Sequence, residues 1–327
     1  RSEEQAGLAK QSDVGIVVVG YTKEEEGECI GDSEDTVDMV KQIPRQDDPV
    51  LASEYEKYMR ENHHYAPDEL RIKSRNGTFS IGGDRESIRL LDADVQMIRA
   101  VAKVQPRTIV VIVAGSAVVM SEWINEVPAV VMGWYSGISG GRALANILSG
   151  AVNPSGRLPF VIPHDESHLP FFDRNAKKIT YDYWHGQWKL DRDGNEAMFP
   201  FGFGCSYTQF LVSSPTIETN EVVKFRCEVS NTGSRDGATV VQVYVGRNDS
   251  LLERPKRRLV AFKRVGLRAG ETKHVECTAS LQSLATRDTK THSWFIEDGL
   301  WNFEIAQFSG DPKALPIELS ISKRIDL

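Results

Sequence analysis

The first part of the chain alternates continuous apolar runs with stretches of helical periodicity. Apolar runs occupy residues 15–20, 108–115 and 129–135. Such runs bounded by glycines are typical of strands buried on both faces of a parallel sheet. Apolar positions at helical spacing predict helices over 91–104 and 140–150, with a shorter one at 121–127. This succession predicts a mostly parallel α/β sheet flanked by helices, an α/β sandwich.

The pattern changes in the second part of the chain. A proline- and aromatic-rich stretch from Asn153 to Phe210 is expected to wrap around without regular elements. From Ser213 onward, short alternating strands separated by turn signals predict an all-β antiparallel sandwich. The predicted strands include 222–229, 239–245, 259–265, 273–279, 294–297 and 301–306. We therefore expect an α/β domain over residues 1–210 and a β-sandwich domain over residues 211–327.

Length and charge narrow the classes of function. A chain of 327 residues exceeds the usual size of one hydrophobic core, which agrees with two domains. A formal net charge of -7 without a long basic run argues against nucleic acid and anionic membranes as partners. Cys227 and Cys277 lie at core-facing positions of predicted strands, so we expect buried thiols there.

Three adjacent carboxylates follow the first apolar run. Glu24, Glu25 and Glu26 come directly after Gly20-Tyr-Thr-Lys and before Gly27. Neighbouring like charges raise one another's pKa, which would help one of them to stay protonated as a general acid. Ligands of parallel sheets bind beyond the carboxyl ends of the strands, where these residues fall. A solvated acidic loop is the alternative interpretation, and these residues alone favour it.

A long, charged insertion over residues 28–81 separates this acidic stretch from the next regular pattern. Within it, the residues after Asp48 predict a helix that follows a proline. Such an insertion beside a site is more often a lid or an interface than idle length. The sequence predicts no metal site here, because the acidic residues lack calcium-loop spacing. It predicts no cofactor either, since Gly137-Ile-Ser-Gly-Gly matches neither a dinucleotide nor a P-loop fingerprint.

Several motifs, taken in order, resemble one known family. The α/β part resembles the second domain of glycoside hydrolase family three, and the part that follows resembles the fibronectin type III-like domain of those enzymes. The motifs of the first part are Gly-Asp84-Arg85-Glu-Ser-Ile-Arg-Leu, Trp134-Tyr-Ser-Gly, Asn153-Pro-Ser-Gly-Arg-Leu-Pro and Phe199-Pro-Phe-Gly-Phe-Gly-Cys-Ser-Tyr-Thr. Those of the second part are Val-Ser-Asn231-Thr-Gly and Arg254-Pro-Lys-Arg-Arg-Leu-Val-Ala-Phe.

The resemblance implies that this chain is the carboxyl-terminal portion of such an enzyme. In the family a barrel domain carries an aspartate nucleophile, usually near a Ser-Asp-Trp motif, and neither is present here. The polar start of the chain reads as the last turns of a helix, and the first strand and helix of the domain are expected to be missing. The resemblance therefore implies a partner, a barrel-domain chain that carries the nucleophile and is made by cleavage of a precursor. The alternative is that the barrel was lost. The resemblance leaves the compartment open, with a secreted or periplasmic location favoured over a cytoplasmic one.

The resemblance also assigns roles to residues. In many family members the general acid/base is the glutamate of a Glu-Gly pair, which corresponds here to Glu26, with Glu25 and Glu24 as runners-up. The implied activity is that of a retaining exo-β-glycosidase acting on a β-linked glycoside, a β-glucosidase first and a β-xylosidase second. Relatives commonly carry Gln-Glu where this chain has Ile138-Ser139. The rival hypothesis is a non-catalytic carbohydrate-binding or scaffolding fragment.

Overall fold

The computed structural model describes most of the chain outside the insertion. The described residues are 2–21, 85, 87–173, 176, 178–250 and 252–327, together with Pro49, Val50, Ser53, Glu54 and Lys57. The last five have helical backbone, in agreement with the helix predicted after Asp48. The chain forms two compact units: the first comprises Arg1–Ala114, Trp123–Trp134 and Phe172–Ile179, and the second comprises Gly115–Glu122, Tyr135–Phe171 and Thr180–Leu327.

The first unit is built on a parallel three-stranded sheet in the order β1-β2-β3. Its elements are α1 (Ser2–Ala9), β1 (Gly15–Gly20), α2 (Asp92–Val104), β2 (Thr108–Val113) and β3 (Ala129–Met132). A 3-10 turn at Ile124–Glu126 replaces the short helix that was predicted over 121–127. The helix α2 buries Val95, Ile98 and Val101, which lie three residues apart and therefore on one face. It packs against α1, and the Gln105 amide that follows it donates to the Ala9 carbonyl at 3.3 Å.

The prediction that β1 is buried on both faces is wrong. Val17 and Val19 are each 5 % exposed, whereas Ile16 is 52 % and Val18 is 54 % exposed. The cause is position: β1 is at the edge of the sheet and alternate side chains of a strand point to opposite faces. The central strand β2 has the same apolar composition but keeps Val110, Val111 and Ile112 almost fully buried.

The second unit begins with α3 (Gly140–Leu148), the short pair β4 (Ile162–Pro163) and β5 (Ala197–Phe199), and α4 (Gly186–Asp193). The stretch predicted to lack regular elements therefore contains a helix and a strand pair, which is a correction. The helix α4 ends at Gly194, which has the left-handed conformation that favours glycine. The Gly194 amide donates to the carbonyl of Leu190, whose side chain is fully buried.

An antiparallel sandwich forms the rest of the second unit. One sheet has the order β10-β7-β6 and the other β14-β13-β8-β9, and side chains from both sheets form one hydrophobic core. A small third sheet joins β11, β12 and β15. The strands are β6 (Phe210–Thr219), β7 (Val222–Asn231), β8 (Gly237–Gly246), β9 (Arg258–Leu267), β10 (Thr272–Ser280), β11 (Thr286–Arg287), β12 (Trp294–Ile296), β13 (Gly299–Ala306), β14 (Leu315–Ile321) and β15 (Ile325–Asp326).

The two predicted core thiols are buried and free. Cys227 and Cys277 are each 4 % exposed and form no disulfide. Burial raises the pKa of Cys227 to about 12 and that of Cys277 to about 11. Both thiols therefore remain protonated at neutral pH and act as small apolar side chains. The predicted fold class is confirmed: a mostly parallel α/β sheet with helices, followed by antiparallel sheets.

Candidate active site

The carboxyl end of β1 is fixed by a close approach to β2. Gly20 has a φ of 151°, and a Cβ at this position would lie 1.9 Å from the carbonyl oxygen of Val113. The next amide, that of Tyr21, donates to the same oxygen at 3.1 Å. Only glycine fits this exit, and the chain leaves the sheet in a defined direction.

Tyr21 joins two segments of the chain that are far apart in sequence. Its side chain is 7 % exposed, and its hydroxyl donates to the Arg89 carbonyl at 2.8 Å across 68 residues. The Arg85 guanidinium lies over the Tyr21 ring, 4.2 Å from the centroid, in cation–π geometry. The motif that carries Arg85 therefore contacts the carboxyl end of β1, the end that precedes the acidic stretch in the sequence.

The predicted catalytic carboxylates, Glu24, Glu25 and Glu26, lie outside the described residues, as does most of the insertion over 28–81. Tyr21, which precedes the three glutamates, is in contact with Arg85, which follows the insertion. Sequence reasoning missed this anchor. The only signal was a tyrosine immediately after the glycine that ends a strand, and its partner cannot be recognised from spacing.

The end of β3 carries a second unusual backbone. The Gly133 amide donates to the Ile112 carbonyl at 2.7 Å, which continues the pairing with β2 by one residue. Trp134 then adopts a left-handed conformation with a φ of 53°. A bulky residue is rarely found there, and such strained positions concentrate at functional sites. Trp134 belongs to the Trp-Tyr-Ser-Gly motif, so this motif fixes a strained exit from the sheet.

Within the second unit, the loop before α3 is short, apolar and open. Tyr135 is 56 % exposed and Ile138 is fully exposed. Gly137 has a φ of 64°, and a Cβ on Gly140 would lie 2.4 Å from the Ser136 hydroxyl oxygen. The loop thus carries Ser139 at the position where the family resemblance implies a glutamate, and positions 138 and 139 offer no carboxylate.

Two further family motifs have structural roles in the second unit. The Asn153 side-chain oxygen accepts from the Ser206 hydroxyl and the Tyr207 amide, each at 2.9 Å, and its amide nitrogen donates to the Asp236 carbonyl at 3.1 Å. Arg157 donates to the Thr239 hydroxyl at 2.8 Å. Burial lowers the pKa of Arg157, and nearby Asp311 opposes that effect. These side chains join the segment before the sandwich to β8 and to the residue that precedes it.

In the described part of the chain, the His, Cys, Asp and Glu residues form no group of three or more that could hold a metal ion. None of its helices is long and apolar enough to cross a membrane.

The fold defines a structural class: a parallel α/β domain followed by an antiparallel β-sandwich. Residues 1–207 match the glycosyl hydrolase family 3 C-terminal domain, and residues 239–309 match the fibronectin type III-like domain. The chain therefore belongs to glycoside hydrolase family 3, as its motifs predicted.

Several relatives support this assignment. The β-glucosidase BoGH3A of Bacteroides ovatus is 36 % identical over 244 residues, which are 70 % of this chain and 32 % of that protein. A xylan 1,4-β-xylosidase of Xylanibacter ruminicola is 30 % identical over 244 residues, which are 73 % of this chain and 27 % of that protein. The chain thus spans about a third of the length of the curated relatives it matches.

The fold is also found in solved structures. The β-glucosidase of Kluyveromyces marxianus superimposes with a TM-score of 0.77 at 24 % identity, over 99 % of this chain and 33 % of that one. At this identity the likeness shows the shared fold alone.

Proposed function

We propose that this chain supplies the general acid/base of a retaining exo-β-glycosidase, with Glu26 in that role. The aspartate nucleophile would come from a barrel in another chain or domain. Family membership supports this division, because the matching family model describes a C-terminal domain and the relatives are about three times as long.

The observation that carries the proposal is the anchor at Tyr21. Tyr21, which precedes the acidic stretch, and Arg85, which follows the insertion, meet at the carboxyl end of β1, where ligands of parallel sheets bind. Glu26 follows Tyr21 by five residues, so its Cα can be no more than about 18 Å from that of Tyr21. The acidic stretch is thus restricted to the neighbourhood of this edge.

The chemistry of retention explains the required role. Two carboxyl groups about 5–5.5 Å apart share the work: one attacks the anomeric carbon, and the other protonates the leaving oxygen and then activates water. Glu26 takes the second task and must be protonated in the first step. Repulsion from Glu24 and Glu25 would favour this protonated form, and the positive charge of Lys23 would oppose it.

The proposed substrate is a β-linked glycoside, with a β-glucoside first and a β-xyloside second. This order follows the relatives, one of which is named a β-glucosidase at 36 % identity and another a xylan 1,4-β-xylosidase at 30 %. We also propose domain limits of 1–210 and 211–327, which the change from parallel to antiparallel strand pairing supports.

The experiment that tests the role of Glu26 compares leaving groups in the enzyme assembled with its barrel-bearing partner. In Glu26→Gln, hydrolysis of an aryl β-glucoside with a poor leaving group should fall by about 10²–10⁴-fold, because this is the usual contribution of general acid catalysis. Glycosyl-enzyme formation from a dinitrophenyl β-glucoside should change little, because that leaving group needs no proton.

Glu24→Gln and Glu25→Gln are the matched controls, since each removes one charge from the same stretch. Both should retain the wild-type dependence on the leaving group. If Glu26→Gln slows good and poor leaving groups equally, Glu26 is not the acid. If the natural preparation contains the chain alone and no hydrolysis is measured, the scaffolding alternative is correct instead.

A further inference from the structure

An aromatic cluster lies at the start of α4, in the second unit. The ring centroids of Tyr183 and Trp188 are 5.4 Å apart, with a tilt of 33° between the rings, and His185 lies 5.8 Å from Trp188. Tyr183 is 47 % exposed, and His185 is exposed. The neighbouring Tyr181 is 52 % exposed. Exposed aromatic side chains therefore lie beside the half-buried Trp188 at the start of α4, where they are accessible to a ligand.

A buried tryptophan, Trp184, packs against the cluster and holds it in place. Trp184 is 7 % exposed and meets Tyr183 edge to face, with 5.2 Å between the ring centroids. Its indole nitrogen donates to the Glu253 carboxylate at 2.8 Å. The Arg192 guanidinium covers the other side of the indole, 5.1 Å from a ring centroid. These contacts fix the position of Tyr183, so little entropy would be lost on binding.

Two charged side chains of opposite sign lie beside Tyr183 without an ion-pair partner. Among the described residues, Glu253 forms no salt bridge; its carboxylate accepts from the Trp184 indole and interacts with the Arg192 guanidinium only through longer-range electrostatics. Arg258 likewise has no carboxylate partner there, and donates to the Ser283 carbonyl. Partial burial raises the pKa of Tyr183, and the positive charges of Arg258 and Arg254 act in the opposite direction.

The chemistry of this surface favours one class of ligand. A sugar presents C–H faces to aromatic rings and hydroxyl groups at its edge. Those hydroxyls can donate to Glu253 and accept from Arg258 at the same time, while a charged ligand would be repelled by one of the two. A protein interface would have to desolvate both unpaired charges, and the cores of interfaces are depleted of such residues.

We propose that Tyr183 and Trp188, framed by Glu253 and Arg258, form a binding site for neutral sugar units of a β-linked oligosaccharide. The site stacks one sugar on the open aromatic face and holds its hydroxyl groups with the two charged side chains. This binding function does not depend on Glu26.

The test measures binding of cellopentaose and xylopentaose to the full chain by titration calorimetry, without the barrel-bearing partner, so that no turnover occurs. Tyr183→Ala and Trp188→Ala should each weaken binding by roughly tenfold or more, as loss of an aromatic anchor does. Trp294→Ala is the matched control, because Trp294 is also an exposed tryptophan, 51 % exposed on β12. That variant should bind as the parent does.

Glu253→Ala and Arg258→Met provide a second route that leaves the exposed rings in place, and each should also weaken binding severalfold with an unchanged circular dichroism spectrum. Absence of saturable binding to the parent chain at millimolar oligosaccharide would overturn the proposal, as would equal losses in Trp294→Ala. A third result would also overturn it: Tyr183→Ala weakens association with the barrel-bearing chain while oligosaccharide binding is unchanged. In that case the cluster would be a protein interface.

Discussion

The parallel sheet of the first unit and the antiparallel sandwich of the second both contain apolar strands. The two differ in how much of the apolar side chains they bury. In the sandwich two sheets face each other, and Phe225 and Phe303 pack with 5.0 Å between ring centroids in one core. In the parallel sheet the edge strand β1 leaves Ile16 and Val18 half exposed. Apolar composition alone therefore does not decide burial, because the neighbours on each face do.

The largest expected effect tests the closed core of the sandwich. Phe303 is 1 % exposed on β13, so Phe303→Ala should lower the free energy of unfolding by about 3–5 kcal/mol through lost contacts and a cavity. Phe262, on β9, is 67 % exposed and provides the control, since Phe262→Ala should change it by no more than about 0.5 kcal/mol. Urea denaturation measures both. Similar losses in the two variants would contradict the assignment of the core.

A somewhat smaller effect on stability is expected at the carboxyl end of β1, next to the candidate site. Gly20→Ala places a Cβ 1.9 Å from the Val113 carbonyl oxygen at positive φ, so it should cost about 2–3 kcal/mol of unfolding free energy. Gly137→Ala, in the open loop of the second unit, has positive φ but no atom within 4 Å of the new Cβ, and should cost about 1 kcal/mol.

Thermal or urea unfolding of these two variants separates steric overlap from backbone strain. If Gly137→Ala is as damaging as Gly20→Ala, the close approach of β1 to β2 does not control this exit from the sheet.

The same contrast explains what the sequence could predict. Strands of the sandwich such as β7 and β8 were recognised because alternation and turn residues are local signals. The strand β14 was missed because it contains Pro316, which is tolerated since β14 is at the edge of its sheet. The helix α4 was missed because its aromatic and glycine residues resemble those of the surrounding loop. The prediction that both faces of β1 are buried failed because burial depends on the order of the strands in the sheet, which is not a local signal.

The candidate site divides in the same way. Its position at the carboxyl end of β1 follows from the local pattern, and the assignment of Glu26 follows from family motifs and stays a prediction. The contacts of Tyr21 with Arg85 and Arg89 could not be predicted, because they join residues more than sixty positions apart through one ring and one carbonyl. Long-range contacts of this kind depend on the folded chain.

The smallest expected effect sharpens the comparison within one sheet. Val18 on β1 and Val111 on β2 are paired in register, yet Val18 is 54 % and Val111 is 1 % exposed. Replacement by threonine keeps the β-branched shape and adds one hydroxyl.

Val111→Thr should cost about 1–3 kcal/mol of unfolding free energy because the hydroxyl is buried without a partner. Val18→Thr should stay within about 0.5 kcal/mol, because its hydroxyl can bind water. Equal costs in urea denaturation would mean that the outer face of β1 is covered in solution, and the contrast between the edge and central strands would no longer hold.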